Sequence, residues 1–379
     1  MKSMKFASAA VALAIVFSMA GYAAATEPEP FPSGHVEALI GLSPELGQLS
    51  SPSWLMTGYR YFYDVYYYDK DNEVVDSAVL VYDVVGKGFE HVVTNCYLAS
   101  FDEDGVLSEF AQQYYVIDFP GAGEFWVNVK GVDGDKKPET AYGVLKRGTF
   151  EHMTAYNETG EAWYAAVTSS DGSTDTELYY DTADGLMLQR DDYVYDDQDN
   201  YMGGTSYMFY KAEEYYAPWL DFGFTGLKVG MEISYDMIVV WGDGSRATGI
   251  MTFYPEENYG SWAYMSQFLE SEELGNSTGD RVVSEMCTDG LMVWMPTEAF
   301  PYIEKDDVYF RDEEIGSLVK AGDMVDLGEL GLAREIHFKD GFFMADAYFR
   351  PEDGFMSRYY QYPTELKPFE IILTLRGVK

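Results

Sequence analysis

The chain has 379 residues, of which 64 are acidic and 25 basic, so its formal net charge is −39. Hydrophobic residues make up 47% of the chain and aromatic residues 17%, which is enough to fill a core and argues against disorder. The charge excludes nucleic acid as the expected partner, because phosphate binding requires clustered lysine and arginine. It also disfavours docking on an anionic lipid surface.

Residues 1–25 are predicted to be a secretory signal peptide. Lys2 and Lys5 precede an apolar run, and the small residues Ala23 and Ala25 favour cleavage after residue 25. A retained membrane anchor is the weaker alternative, because the apolar run is short and does not continue. No later stretch is long and apolar enough for a transmembrane helix. We therefore expect an exported protein, either periplasmic or extracellular.

Residues 26–49 are rich in proline and are predicted to form an extended N-terminal leader. The rest is predicted to form two related modules, residues 50–215 and 220–379, because sequence landmarks recur in the same order and at similar spacing. These landmarks are Gly58 and Gly230, Trp126 and Trp294, residues 145–148 and 319–322, and Gly185 and Gly354. The pattern favours an internal duplication. Chance likeness between tyrosine-rich hairpins is the alternative.

Short strands separated by turns are predicted throughout both modules. Asp184-Gly185 and Asp353-Gly354 each join an aromatic strand to an apolar one, as expected for a hairpin whose glycine has a positive φ. The last residues, 369–379, also have the composition of a strand. The fold class is therefore predicted to be mostly β, with antiparallel sheets and few short helices, in two related β-sandwich or half-barrel modules.

The first strand is the most aromatic. Because side chains alternate along a strand, Tyr59, Tyr61, Tyr63 and Tyr67 are expected on one face together with Val65. Burying tyrosine on both faces of one strand is costly. We therefore expect an exposed aromatic face or groove, with these four tyrosines as candidate ligand-binding residues.

Two short helices are also expected. In residues 262–274, Trp262, Met265, Phe268 and Leu269 have helical spacing, and Gly275 is a plausible stop. Residues 107–113 would be the counterpart in the first module.

Few residues suggest chemistry. The four histidines, His35, His91, His152 and His337, have no metal-ligand spacing and are expected to be structural. Export permits a disulfide, so Cys96 and Cys287 either pair or remain free, buried thiols. No catalytic serine or phosphate-binding motif is present. We therefore predict no catalytic residue and no metal ligand.

Calcium is the one cofactor worth considering, because carboxylates are abundant. The candidate groups are Asp69, Asp71 and Glu73; Asp102, Asp104 and Glu109; and Asp196, Asp197 and Asp199. None fits the EF-hand pattern, and turns use aspartate for backbone reasons alone. No cofactor is therefore expected, with calcium as the alternative.

The segment from Trp163 through residues 179–188 (Tyr-Tyr-Asp-Thr-Ala-Asp-Gly-Leu-Met-Leu) resembles a strand–turn–strand motif of exported β proteins of unassigned function. Some of these are LolA/LppX-like envelope proteins. The resemblance implies a curved half-barrel that carries lipid, and it assigns no site residue.

We therefore expect a non-enzymatic binding or envelope-structural protein whose partner is a lipid, a glycan or an envelope protein. A surface or adhesion subunit is another reading. The main alternative is a secreted hydrolase that cleaves glycans through paired carboxylates, although 64 acidic residues make such pairs common by chance.

Overall fold

A computed structural model of the chain describes most of the chain from residue 57 onward. The described residues are 57–87, 91–101, 107–118, 125–126, 139–140, 143–144, 146–151, 159–169, 172–182, 185–260, 262–284, 286, 291–312, 316–340, 343–364 and 368–379. The predicted signal peptide and leader lie outside these residues, as do Cys287, His35 and His152.

The first half of the chain forms one antiparallel sheet with the order β4-β3-β2-β1-β11-β10-β9-β8-β7. Its strands are β1 (Tyr59–Asp69), β2 (Val74–Lys87), β3 (His91–Phe101), β4 (Leu107–Asp118), β7 (Lys146–Glu151), β8 (Thr159–Thr168), β9 (Thr174–Asp181), β10 (Met187–Tyr195) and β11 (Tyr201–Glu214). Two further short strands, β5 (Glu139–Thr140) and β6 (Gly143–Val144), pair only with each other.

The second half forms a second antiparallel sheet with the order β15-β14-β13-β12-β21-β20-β19-β18-β17-β16. Its strands are β12 (Ile233–Trp241), β13 (Arg246–Asn258), β14 (Trp262–Glu270), β15 (Ser277–Ser284), β16 (Val308–Asp312), β17 (Ser317–Asp326), β18 (Leu332–Asp340), β19 (Phe343–Phe349), β20 (Met356–Gln361) and β21 (Phe369–Val378). Three 3-10 helices, Pro218–Asp221, Thr297–Tyr302 and Gly328–Leu330, lie between strands.

The two sheets have the same strand order. When the strands are counted from β4 in the first sheet and from β15 in the second, every strand of the first sheet has a counterpart in the second. The strand β16 is an additional edge strand of the second sheet. Neither order closes on itself in the described residues. The prediction of mostly antiparallel β structure is therefore confirmed, including the strand at residues 369–379, which is β21. Two sheets of matching strand order agree with two modules, whose boundaries at 50–215 and 220–379 and common origin stay predictions.

The predicted hairpins match in detail. Gly185 and Gly354 both have a φ of 79°, and each donates its backbone N–H to a carbonyl four residues earlier, that of Asp181 or Arg350. Glycine adopts this left-handed conformation without steric cost. A tryptophan then bridges to the residue after each glycine: Trp126 pairs with Leu186, and Trp294 pairs with Phe355.

Each sheet packs one face, here called its inner face, against its own apolar cluster. In the first sheet this cluster includes Tyr63, Val65, Phe125 and Trp126, all fully buried. The larger cluster of the second sheet includes Trp294 and receives Trp219 from the connection between the sheets.

Both predicted helices are strands. Residues 262–274 contain β14, and residues 107–113 lie in β4. In β14 the alternating residues Ala263, Met265, Gln267 and Leu269 are buried, whereas Phe268 is exposed. A short apolar run fits the helical spacing as well as the alternation of a strand. Pairing with β13 and β15 stabilises the strand conformation here.

The sheets meet where the opposite, outer face of β1 contacts β16 and β17. The Arg60 guanidinium forms a bidentate ion pair with Asp83 at 2.6 and 2.9 Å, and it also donates to Ser317 Oγ at 3.2 Å. It lies 4.8 Å from the ring centroid of Phe310. Nearby, Lys211 on β11 pairs with Asp312 at 2.7 Å. Contacts between the halves are therefore charged as well as apolar.

Candidate functional site

The tyrosines predicted to bind a ligand lie on the inner face of β1. Tyr61 and Tyr63 are buried in the core of the first sheet, and Tyr59 and Tyr67 are partly buried against it. The Tyr63 hydroxyl donates to the carbonyl of Met187 at 2.8 Å. These contacts give the four residues a packing role, and their ligand-binding role stays a prediction.

The outer face of the same sheet carries a second set of tyrosines, together with carboxylates. Directly opposed residues of neighbouring strands share a face, so the register places these side chains in three parallel rows. We call this set the acidic tyrosine face, and its members are Asp64, Tyr66, Tyr68, Tyr164, Asp175, Glu177, Tyr179, Asp191 and Tyr193.

The centre of the acidic tyrosine face is a carboxylate held by two phenols. The hydroxyls of Tyr164 and Tyr179 each donate to one oxygen of Glu177, both at 2.9 Å. The two rings lie 5.1 Å apart. Burial, with a further contribution from Glu177, raises the pKa of Tyr164 to about 12 and also raises the pKa of Tyr179. Both phenols therefore remain protonated donors at neutral pH.

Asp191 lies directly opposite Glu177 on the next strand. Burial raises the pKa of its carboxyl group, and the negative charge of Glu177 adds to this. Hydrogen bonds act in the opposite direction: Ser206 Oγ donates to Oδ1 at 2.5 Å, and Gln189 Nε2 donates to Oδ2 at 2.7 Å. Asp191 is thus enclosed by neighbours that use both of its oxygens.

The third row lies toward the hairpin ends of the strands. In it, Tyr68 and Tyr193 are on either side of Gly204, where a Cβ would collide with the Asp192 carbonyl and would lie 3.2 Å from the Tyr201 hydroxyl. Beyond these rows the hairpin tips expose Val75 and Met202, at 63% and 50%.

Across the neighbouring strands β1, β11, β10, β9 and β8, the three rows contain four carboxylates and no lysine or arginine. The carboxylates are Asp64, Asp175, Glu177 and Asp191. Lys146, on the edge strand β7, is opposite Tyr164, and its side chain lies outside the described part of the chain. The face is therefore strongly negative.

The corresponding face of the second sheet holds the histidine cluster, which we define as Glu335, His337, Asp346, Tyr348 and Tyr362. His337 Nδ1 lies 2.6 Å from Asp346 Oδ1, and Tyr362 donates to the other oxygen of that carboxylate. The Tyr348 hydroxyl donates to Glu335 Oε1 at 2.7 Å. Ligand atoms of Glu335, His337 and Asp346 all lie within 4.8 Å of one another, so these residues could hold a metal ion.

The histidine cluster was not predicted from the sequence. His337 was expected to be structural, and Glu335 and Asp346 were not singled out. The alternation of Glu335 and His337 places both on one face of β18, but Asp346 joins them only through the pairing of β18 with β19. That register is not readable from residue spacing.

Of the three predicted calcium groups, two lie in turns that the structure describes and one lies mostly outside the described residues. Asp69 Oδ1 accepts the backbone N–H groups of Asp71 and Glu73, and Asp196 Oδ1 accepts those of Gln198 and Asn200. Each aspartate thereby stabilises its own turn, as aspartates in tight turns do. Asp102 and Asp104 lie outside the described residues, as does the side chain of Glu109. Calcium binding stays a prediction.

Cys96 is buried on β3, and Cys287 lies outside the described residues, so their pairing stays a prediction. His91 begins β3, and its side chain is likewise outside the described part. Within the described residues, no helix has the length and apolar character needed to cross a membrane.

No protein-family profile matches the chain, and no curated protein matches it. Solved structures show only weak similarity. A protein of unknown function from the DUF3598 family of Nostoc punctiforme is 8% identical, with a TM-score of 0.19, over 86% of this chain and 97% of that one. The MucA/MucB complex of Pseudomonas aeruginosa is 7% identical, with a TM-score of 0.23, over 85% and 94%.

A third structure, a protein described as exported and with a YmcC-like fold, comes from Bacteroides fragilis. It is 8% identical, with a TM-score of 0.15, and the match covers 86% of this chain and 96% of that one. Superpositions this poor identify no function. The resemblance to LolA/LppX-like proteins stays a prediction.

Proposed function

We propose that the protein is an exported, non-enzymatic binding protein that captures an arginine- and lysine-rich segment of another protein on its acidic tyrosine face. Export rests on the N-terminal sequence pattern. The observation that carries the binding proposal is the set of three rows across β1, β11, β10, β9 and β8, which hold four carboxylates and five tyrosines but no lysine or arginine.

The charge of the face favours a cationic ligand. Asp175, Glu177 and Asp191 lie close together on neighbouring strands and repel one another, and a cation that binds between them relieves this repulsion. Guanidinium groups bind carboxylates through paired hydrogen bonds and also stack on aromatic rings. Tyr193 lies directly opposite Asp175, so this pair offers both kinds of contact, and Tyr68 lies farther along the same row. The net charge of −39 would also steer a basic partner toward the protein.

The hydrolase alternative has one structural argument in its favour. Glu177 and Asp191 are opposed, and the pKa of Asp191 is raised, as a general acid requires. However, Asp191 is only 6% exposed, and both of its oxygens already accept hydrogen bonds. It therefore has no oxygen directed at a substrate, and binding is the better-supported reading.

The test is the binding of a fluorescent oligo-arginine peptide, followed by anisotropy at increasing salt concentration. The double variant D175N/E177Q should weaken binding about tenfold or more. The double variant E272Q/E329Q removes two exposed carboxylates elsewhere and is the charge-matched control, for which little change is expected. Charge reversal by D175K should also weaken binding.

Equal weakening by both double variants would mean that net charge alone attracts the peptide, and this would contradict the assigned face. Salt-independent binding to neutral vesicles or to glycans, without peptide binding, would favour the lipid or glycan partners. Hydrolysis of aryl glycosides that is lost in D191N would favour the hydrolase.

A further inference from the structure

The histidine cluster has the arrangement of a protein metal site. Asp346 Oδ1 and His337 Nδ1 lie 2.6 Å apart, and because an ionised carboxylate only accepts hydrogen bonds, Nδ1 carries the shared proton. The lone pair of the ring is then on Nε2. Metal-bound histidines are commonly oriented by a carboxylate at the opposite ring nitrogen in this way.

Nε2 faces a second ligand atom at a suitable distance. Glu335 Oε2 lies 3.6 Å from it. Two ligand atoms that are each about 2.0–2.1 Å from a tetrahedral zinc ion are about 3.4 Å apart. One ion can therefore contact both atoms after a shift of a few tenths of an ångström. Glu335 is held in place by the Tyr348 hydroxyl on its other oxygen at 2.7 Å.

A glycine allows both ligand atoms to lie where they do. Gly322 lies in a bulge of β17, between Ala321 and Met324, where the strand faces β18. A Cβ at Gly322 would lie 2.8 Å from His337 Nε2 and closer still to Glu335 Oε2. The φ of Gly322 is outside the left-handed region, so the backbone does not require glycine. A side chain here would collide with both ligand atoms, so glycine is what allows Glu335 and His337 to approach each other at this position.

The surrounding charges suit a cation. Lys320 lies opposite His337 but pairs with Asp306 at 2.7 Å, and Lys305 pairs with Asp323 at 2.7 Å. Glu335 and Asp346 are 16% and 8% exposed at the side chain, whereas His337 is 40% exposed. Of the three side chains, that of His337 is therefore the most accessible to solvent.

We propose that Nε2 of His337 and Oε2 of Glu335 bind a divalent transition-metal ion of the zinc class, with Asp346 as the residue that positions the imidazole. Imidazole nitrogen favours zinc, nickel or copper over calcium and magnesium. Water fills the remaining coordination positions. The site lies on the second sheet, and it does not depend on peptide binding by the first.

The experiment is calorimetric titration of the untagged full-length chain with Zn²⁺, in excess Ca²⁺ to occupy sites made only of oxygen. We expect one zinc site. H337Q and E335Q should abolish it, and D346N should weaken it about 10–100-fold. The control E177Q changes the matching carboxylate of the first sheet and should bind zinc like the wild type.

G322A is the decisive variant, because it keeps every ligand side chain but displaces Glu335 Oε2 and His337 Nε2 from their present positions. It should lose zinc binding, while its metal-free melting temperature reports whether the bulge still forms. If G322A is folded and binds zinc normally, these two positions are not what binds the ion and the proposal is wrong. If G322A does not fold, H337Q is the deciding variant, because the His337 side chain is partly exposed and its replacement should not prevent folding. Wild-type zinc affinity in H337Q would equally overturn the proposal.

Discussion

The two sheets share their strand order and their tryptophan–glycine hairpin, yet they use equivalent outer positions differently. In the first sheet Glu177 lies between Ala166 and Asp191 on the neighbouring strands. In the second, Asp346 lies between His337 and Tyr360. One carboxylate thus has a second carboxylate beside it, whereas the other has an imidazole and a phenol.

This difference shows which parts of the pattern the fold requires. The inner face keeps buried aromatic and aliphatic side chains in both sheets, because a cavity or a polar group there is costly. The outer face combines partly exposed positions with buried polar ones that neighbouring hydrogen bonds satisfy, and it can diverge. We propose that the matching strand orders arose by duplication and that the two outer faces then acquired different ligands.

The largest expected effect compares the two hairpin glycines. Valine at Gly185 must adopt a φ of 79°, which should cost about 1–3 kcal/mol. Valine at Gly354 has the same φ, and its Cβ would also collide with the Met295 carbonyl and lie 2.7 Å from Trp294 Nε1. We therefore expect a loss of at least about 3 kcal/mol for G354V.

Urea unfolding of both variants measures this comparison. Unchanged unfolding in either variant would mean that its hairpin does not require a left-handed residue, and the structural equivalence of the two turns would fail.

A smaller effect is expected at the paired tryptophans. Trp294 Nε1 donates to the Asp353 carbonyl at 2.9 Å, whereas the buried Nε1 of Trp126 has no hydrogen-bond partner among the described residues. Replacing Trp294 by phenylalanine removes a donor that makes a hydrogen bond, whereas replacing Trp126 removes a donor that makes none among the described residues. W294F should therefore destabilise the protein more than W126F, by about 1–3 kcal/mol in thermal or urea unfolding. An equal or reversed order would show that Trp126 Nε1 has a partner.

The smallest effect concerns Asp191, whose counterpart in the second sheet is the uncharged Tyr360. Burial raises the pKa of Asp191, so the folded state binds its proton more tightly than the unfolded state does. Its contribution to stability therefore grows as the pH falls through the folded pKa and is least favourable at neutral pH. D191N should raise the melting temperature near neutral pH and lose this advantage in acid. An advantage that is independent of pH would contradict the raised pKa.

Local patterns predicted much of the fold. Alternation along residues 59–67 predicted β1 and which of its side chains share a face, and the Asp-Gly pairs predicted both hairpins, because each signal lies within one strand or turn. The expected exposure of that face was wrong, since Tyr61 and Tyr63 are buried in the core. Residues 262–274 were assigned wrongly because Trp262, Met265 and Leu269 fit both periods, and the choice depends on pairing with distant strands.

The candidate sites were beyond local patterns. The acidic tyrosine face combines Tyr66, Asp191 and Glu177 from three strands, and their meeting depends on the β1–β11 and β9–β10 registers. The raised pKa of Asp191 depends on burial by neighbours that are remote in sequence. Gly322 was noticed only as part of the repeat landmark at residues 319–322, because its role at the site is visible only once Glu335 and His337 surround it.

The contact between β1 and β16 has a consequence for dissecting the chain. Arg60 is fully buried in the intact protein, and part of its enclosure is Phe310 and Ser317 from the other half. A fragment that ends after β11 would expose that guanidinium and leave Lys211 without Asp312. A fragment that starts at β12 would present the Phe310 ring to water. Although the halves look like interchangeable copies, we expect separately expressed fragments to aggregate or to recombine with each other.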